Sequence, residues 1–473
     1  MTAILHFTRD LRLDDHAALK AASVGSAVVP VMVVDAAVTA ALRRSPRRAA
    51  YFCAAVASLN RLIAARGGRL IVRRGRTATT LRALARAIGA TKVVWSSSYD
   101  AAGGRADRDV QAALEESGLR VAVVHDAPAV SPEETSTERR GYRSLAAYVE
   151  RWTQQDVVPY DTLDVQFAHT DVPSEPLPSP AEFGSKELLD PSVDTEEVRR
   201  RFERFLEGEI LHYGVARNVP SDGETASLGA PLSFGLIGAR SIVAAVRNRR
   251  ADRFLLTEER IGLNLFLRAL AQRDFFLQLA YFFEALDETP LQEKMRRFRF
   301  SRSHPALDAW RAGRTGFPIV DAGIRQLRAT GWMHPRVRAI AASFLCFDLG
   351  VDWRVGRDEW DHWLIEDEPA LAQGNWQWIA GVGADLAAYP RIYNPVTQGR
   401  KCDPLGKYVR RWIPELASRS DREILEPEAE ARRSQLSLSL FGDNGYPAPV
   451  VDHDVAAREF LERYKREVSV ASS

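Results

Sequence analysis

Cysteine is nearly absent. Cys53, Cys346 and Cys402 stand far apart in 473 residues, with no CxxC among them. That excludes a disulfide framework and leaves no thiolate set for zinc or an iron–sulfur cluster, so no resident metal is expected. Long apolar runs are also missing, and the opening Met1-Thr-Ala-Ile-Leu-His lacks a charged segment followed by an apolar core. A cytoplasmic protein without membrane attachment is expected. No excess of one charge exists: the formal net charge is +2, which neither implies nor excludes nucleic acid, because binding follows local patches. Lysine is scarce, seven residues against 57 arginines. Codon bias accounts for this, although a guanidinium fork also matches phosphate oxygens.

The composition present, 46% hydrophobic and 27% charged, is that of a soluble globular protein, and 473 residues exceed one ordinary core. Over residues 1–128, β-rich runs at Ala3–Phe7, Ala27–Val34, Arg69–Val72, Lys92–Trp95 and Arg120–His125 alternate with helical spacing. The helical segments lie near Asp14–Ala22, Arg47–Arg66, Thr77–Ile88 and Gly104–Glu116. Such alternation predicts a doubly wound α/β domain with a parallel sheet. No GxGxxG follows the first strand, which weakens the usual dinucleotide reading. Residues 129–194 read as a long surface connector rich in Pro, Ser, Asp and Glu, ending near Pro191. One helical island, Arg143–Gln154, sits inside it with Leu145, Tyr148 and Trp152 on one face. Residues 195–473 then read as a large all-α domain, with Arg260–Leu286 and Ala339–Leu349 apolar enough to be central helices.

Eight of ten tryptophans fall between Trp310 and Trp412, interleaved with Asn, Gln and Arg. This exceeds a packing stripe, because each buried indole N–H needs a partner. The segment includes Trp353-Arg-Val-Gly-Arg, Trp360-Asp-His-Trp363, Asn375-Trp376-Gln377-Trp378, Arg391-Ile-Tyr-Asn-Pro-Val-Thr-Gln-Gly-Arg400 and Tyr408-Val-Arg-Arg-Trp412. Upstream lie Tyr213-Gly-Val-Ala-Arg217 and Thr225-Ala226-Ser227-Leu228-Gly229, then Trp332-Met-His-Pro-Arg336-Val-Arg338. Small hydroxyl residues ahead of a helix can offer N–H and Oγ groups to a phosphate, although most Thr-x-Ser segments are only helix caps.

Together these motifs resemble the photolyase/cryptochrome family, and bacterial class I cyclobutane pyrimidine dimer photolyases in particular. The resemblance covers most of the chain and implies FAD. Tyr213 and Thr225 through Gly229 would surround its phosphates, with Ser227 standing where the family has Arg and Gly229 where it has a second Ser. Arg273, Arg338, Glu366, Asp367 and Glu368 would flank the cofactor, Arg338 pairing with Glu366 where the family has Asp. Without the surrounding motifs, that pair reads as an interior salt bridge. Trp376, Trp353 and a surface Trp310 would form an electron wire. Arg217, Gln272, Arg336, Arg400 and Gln398 would face damaged DNA; taken singly, each of the Arg residues and Gln398 is equally ordinary polar surface.

The dimer-contacting Glu and Trp of the family are Ala269 and Gln272 here, Pro335 replaces an Asn, and Ala372 stands at the Asn that faces flavin N5. The resemblance also implies an antenna chromophore held by the α/β domain, whose matching signature is Phe7-Thr-Arg-Asp-Leu-Arg-Leu-Asp-Asp-His16. The Asn-Glu that binds folate in several relatives is not visible near Tyr99–Arg108, so a deazaflavin is favoured over a folate, or an empty site. Two functions follow: a monomeric deoxyribodipyrimidine photo-lyase acting on damaged DNA, or a cryptochrome-like photoreceptor or repair-defective paralogue. The sequence given ends 20 residues after His453, which weighs against a long signalling tail. A light-independent nucleotide-binding or structural protein would require the tryptophan match to be accidental.

Overall fold

The computed structural model describes residues 1–136, 140–188, 190, 192–221, 225–384, 390–425 and 445–469; Pro191 lies outside them. The chain forms two compact units. The first comprises Met1–His212, Ala226–Asp287 and Ile365–Leu371, and the second Tyr213–Thr225, Glu288–Leu364 and Ala372–Ser473.

In the first unit, β1 (Thr2–Phe7), β2 (Ala27–Val34), β3 (Ile71–Arg74), β4 (Ala90–Ser96) and β5 (Arg120–Val124) form one parallel sheet in the order β3-β2-β1-β4-β5. The registers, such as Ile4 opposite Val29 and Val93, bury near-continuous apolar strands, as parallel pairing requires. Helices α1 (Ala17–Ser23), α2 (Ala36–Arg44), α3 (Pro46–Ala65), α4 (Thr77–Ile88) and α5 (Ala101–Glu115) make the crossovers. Helix α3 starts where Ser45 Oγ accepts the Arg48 N–H and Pro46 supplies a preset φ. The predicted strands are all present, whereas the expectations of helix omitted α2.

The island is helix α6 (Leu145–Thr153), burying Leu145, Tyr148 and Trp152. The longer helices that follow in this unit are α7 (Thr195–Glu207), α8 (Ala239–Arg250) and α9 (Thr257–Phe282). Asp274 of α9 anchors the segment after β5. Its Oδ2 accepts N–H bonds from Ala129 (2.9 Å), Val130 (3.2 Å) and the Trp152 indole (2.9 Å). The connector is therefore stitched to the interior as well as draped over it.

Burial pushes the Asp274 carboxyl up to about 6, against the pull of Arg273 and these donors. A folded-state value above the unfolded one means that folding takes up a proton. This group's contribution to stability is complete below pH 4 and is lost as pH rises through 6. Lowering the pH from 7.5 to 5 should add about 1 kcal/mol through this group. Urea unfolding at the two pH values checks this, and Asp274→Asn should remove that increment.

The second unit contains α10 (Leu307–Ala312), α11 (Pro318–Thr330), α12 (Pro335–Ser343), α13 (Trp353–Asp361), part of α14 (Pro369–Ile379), α15 (Pro395–Cys402), α16 (Lys407–Trp412) and α17 (His453–Ser469). Gly331 closes α11 in the left-handed region, and His334 Nδ1 accepts the Arg336 N–H to open α12, with Pro335 following it. The core gathers Trp310, Trp353, Trp360 and Trp376 with Val337, Ile340, Phe344 and Leu345. The segment from Tyr446 to His453 serves this core. Tyr446 donates to buried Asp321 at 2.7 Å, and His453 meets Asp348 at 2.5 Å.

Candidate functional site

The loop Ala226–Gly229 belongs to the first unit and is built tightly. Ser227 takes a left-handed φ of 45°, unusual for a residue with a Cβ. Gly229 lies against the Glu366 side chain so closely that a Cβ there would sit 2.3 Å from Oε1. Glu366 and Asp367 are held from the α/β side: Arg48 donates to the Glu366 carbonyl at 3.2 Å, and Arg9 pairs with the Asp367 carboxylate at 3.3 Å. Ser233 Oγ accepts the Asp367 N–H at 3.3 Å. Desolvation raises the Glu368 carboxyl, with Arg9 and Arg273 opposing it.

Helix α7 brings a further cation to this loop. Arg201 Nη2 donates to the Ser227 carbonyl at 3.4 Å, while its buried Nε has no hydrogen-bond partner among the described residues. Small residues in a tight turn beside an unsatisfied guanidinium fit a phosphate-bearing cofactor. Arg273 of α9 donates to the Ala127 carbonyl at 2.8 Å, and its buried Nη2 is likewise without a partner among the described residues.

In the second unit three tryptophans, Trp310, Trp360 and Trp376, form a contiguous group. Trp353, Gly356 and Trp360 make one buried stripe on α13. The Trp376 indole fills the notch at Gly356, where a Cβ would lie 2.2 Å from its Cη2. Its ring centroid is 4.5 Å from Trp360, which in turn stacks on Trp310 at 6.0 Å and 14°. Trp353 makes no ring contact with these three among the described residues; the guanidiniums of Arg354 (4.5 Å) and Arg357 (5.2 Å) lie over it. Trp310, expected at the surface, is fully buried, and its N–H donates to the Ala341 carbonyl at 3.1 Å. Trp310 is a buried position of α10, stacked on Trp360 within the core of this unit.

A cleft of about 440 Å³ opens in the first unit beyond β4 and β5, lined by Tyr99, Asp107, Arg108, His125, Glu133 and Tyr281 among others. Tyr99 Oη meets His125 Nδ1 at 2.6 Å, His125 Nε2 meets Glu133 at 2.7 Å, and Tyr281 donates to Glu133 at 2.7 Å. Desolvation alone would raise the Glu133 carboxyl, but hydrogen bonds from His125 and Tyr281 hold it down to about 2.

Residues 3–170 match the family described as DNA photolyase, and residues 266–466 match the FAD binding domain of DNA photolyase. A deoxyribodipyrimidine photo-lyase of Halobacterium salinarum is 34% identical over 97% of this chain and 98% of its own length. The chain belongs to the DNA photolyase family. A crystal structure of a bacterial class III photolyase from Agrobacterium tumefaciens is 29% identical, with a TM-score of 0.86 over 99% of this chain and 98% of that one. An archaeal photolyase from Sulfolobus tokodaii, described with two FAD molecules, is 26% identical, with a TM-score of 0.82 over 98% of this chain and 100% of that one.

The residues singled out from the sequence divide between the two units of this photolyase. Ala226, Ser227, Leu228, Gly229, Arg273, Glu366, Asp367, Glu368 and Gln272 belong to the first; Tyr213, Arg217, Thr225, Arg336, Arg338, Gln398, Arg400 and the tryptophan group belong to the second. Within the second, Arg217 lies over the Tyr213 ring at 5.5 Å, Arg336 hydrogen-bonds Asn218, and Arg338 Nε donates to the Met333 carbonyl at 2.7 Å. Gln398 is half-buried on α15 and Arg400 is exposed. Desolvation pushes fully buried His334 down to about 4. Its Nε2 has no partner among the described residues.

Arg201 and Trp360 were not anticipated. The first sits in a run of charged helix positions, and the second seven residues from Trp353 on the same helical face, which also reads as core.

Gly229→Ala tests the loop. The added methyl would displace Glu366 or open the turn, and FAD affinity should fall about tenfold or more, read by fluorescence titration of flavin-free protein.

Proposed function

We propose that this chain is an FAD-dependent, blue-light-driven lyase that splits cyclobutane pyrimidine dimers in DNA. The observation that carries this reading is the near-complete match, 34% identity over 97% of the chain, to a deoxyribodipyrimidine photo-lyase. The Ala226–Gly229 loop with its unsatisfied Arg201 supports the cofactor side of it.

When bound, reduced FAD supplies the excited-state electron that opens the cyclobutane ring. Ala226–Gly229, with Tyr213 and Thr225, would hold the phosphates, while Arg273, Arg338 and the Glu366–Glu368 run orient the cofactor. Trp376, Trp353 and Trp310 would return electrons to an oxidised cofactor, with Trp360 in ring contact between the first and the last. Arg217, Arg336, Gln398 and Gln272 would meet the DNA, whose damaged bases leave the stack, as photolyases are known to require.

The cleft around Tyr99, His125 and Tyr281 would seat an antenna, a deazaflavin rather than a folate, since its aromatic walls suit a planar heterocycle. The enzyme would act as a cytoplasmic monomer without a metal, and no described helix is long and apolar enough to cross a membrane. The photoreceptor alternative draws support from Ala269 and Gln272, half-buried neighbours on α9 that carry neither a carboxylate nor an indole.

Illuminating the reduced, FAD-loaded protein with an oligonucleotide that contains a thymine dimer tests the reading. Restored thymines are expected. Intact dimers under light that excites the flavin would move the assignment to the photoreceptor.

A further inference from the structure

The four arginines of α7 do not behave alike. Arg199 pairs with Glu196 at 2.6 Å, Arg200 with Glu197 at 3.0 Å, and Arg204 with Glu197 at 3.3 Å. Arg201 forms no ion pair among the described residues. It turns from the charged face toward the Ala226–Gly229 loop, donates to the Ser227 carbonyl at 3.4 Å, and leaves Nε buried and unsatisfied. An unpaired guanidinium N–H out of water is costly unless an anion completes it.

The loop it reaches is shaped for close approach. Ser227 is exposed and left-handed, and a methyl group at Gly229 would require the Glu366 side chain to move. At position 227 the family resemblance calls for an arginine, and this chain has a serine.

We infer that Arg201 is a phosphate-binding residue of the flavin site, supplying from α7 the positive charge that Ser227 cannot. The inference rests on the FAD reading above. The ligand it selects is a dinucleotide carrying a pyrophosphate. A flavin without phosphate makes no use of this residue.

Flavin-free, full-length protein titrated with FAD and separately with riboflavin provides the test. Arg201→Gln should weaken FAD binding about tenfold or more, because a charge-assisted contact is lost, and should shift riboflavin less than about twofold. Adding Ser227→Arg to Arg201→Gln should recover most of the lost FAD affinity. Arg201→Lys, which keeps the charge without the fork, should fall between wild type and Arg201→Gln. Equal losses for FAD and riboflavin, FAD binding within about twofold of wild type, or no recovery in the double variant would each overturn the assignment. Wild-type protein that binds no FAD would instead remove the cofactor reading itself, a result distinct from any of these.

Discussion

Trp376→Phe should lower the rate at which blue light reduces the oxidised flavin at least about tenfold, while dithionite-reduced protein still repairs dimers. The expectation follows from the position of this indole. Trp376 is 5% exposed, its six-membered ring is wedged against Gly356, and it touches Trp360 at 4.5 Å. Phenylalanine would fill much of that notch, so the variant should fold, but a benzene ring is far harder to oxidise than an indole. Trp360→Phe should also slow photoreduction, because Trp360 is in ring contact with both Trp376 and Trp310. Arg354 and Arg357 lie over Trp353 and disfavour a positive hole there, an effect partly offset by Asp352 and Asp358, with which they pair. Steady-state absorbance under blue light with a thiol donor reads both variants. Wild-type rates in Trp376→Phe would remove the electron wire from the reading.

The sheet was legible because a parallel core strand is apolar on both faces, and Ala27–Val34 shows this almost without interruption. Helix α2 was not legible. Its nine residues follow β2 directly, with one buried position, Leu42, so they carry no clear apolar period; the signal available was Asp35, which caps it at Val38 N–H. The connector's composition gave away its irregular backbone. It gave no hint that Ala129 and Val130 would be fastened to Asp274, because hydrogen bonds from backbone N–H carry no sequence signature.

The same limit applies at the site. The Thr225–Gly229 and tryptophan motifs announced themselves by residue type and order. Burial of Trp310, the left-handed Ser227 and the orientation of Arg201 depend on packing between segments distant in sequence. A helix such as α7, with four arginines among four glutamates, cannot show from its pattern which arginine lacks a partner.

Installing Ala269→Glu together with Gln272→Trp should tighten binding of dimer-containing DNA about tenfold or more, with little effect on undamaged DNA. The two positions stand three residues apart on α9 and are both half-buried, so side chains placed there share one face of the helix. A carboxylate at 269 would accept hydrogen bonds from the dimer's polar edges, and an indole at 272 would stack on its pyrimidine faces; base stacking alone contributes about 1–3 kcal/mol per base. Discrimination arises because only an extruded dimer presents those edges and faces at once. Undamaged duplex would engage the protein through its phosphates, through the arginines proposed to meet DNA, Arg217 and Arg336, and such contacts weaken as salt rises. The comparison is therefore best made by competition at two salt concentrations, with the damaged and undamaged oligonucleotides in the same titration. If the double variant gains nothing for the dimer at either salt, the α9 face does not border a lesion pocket, and Ala269 and Gln272 mark a surface turned to a different use.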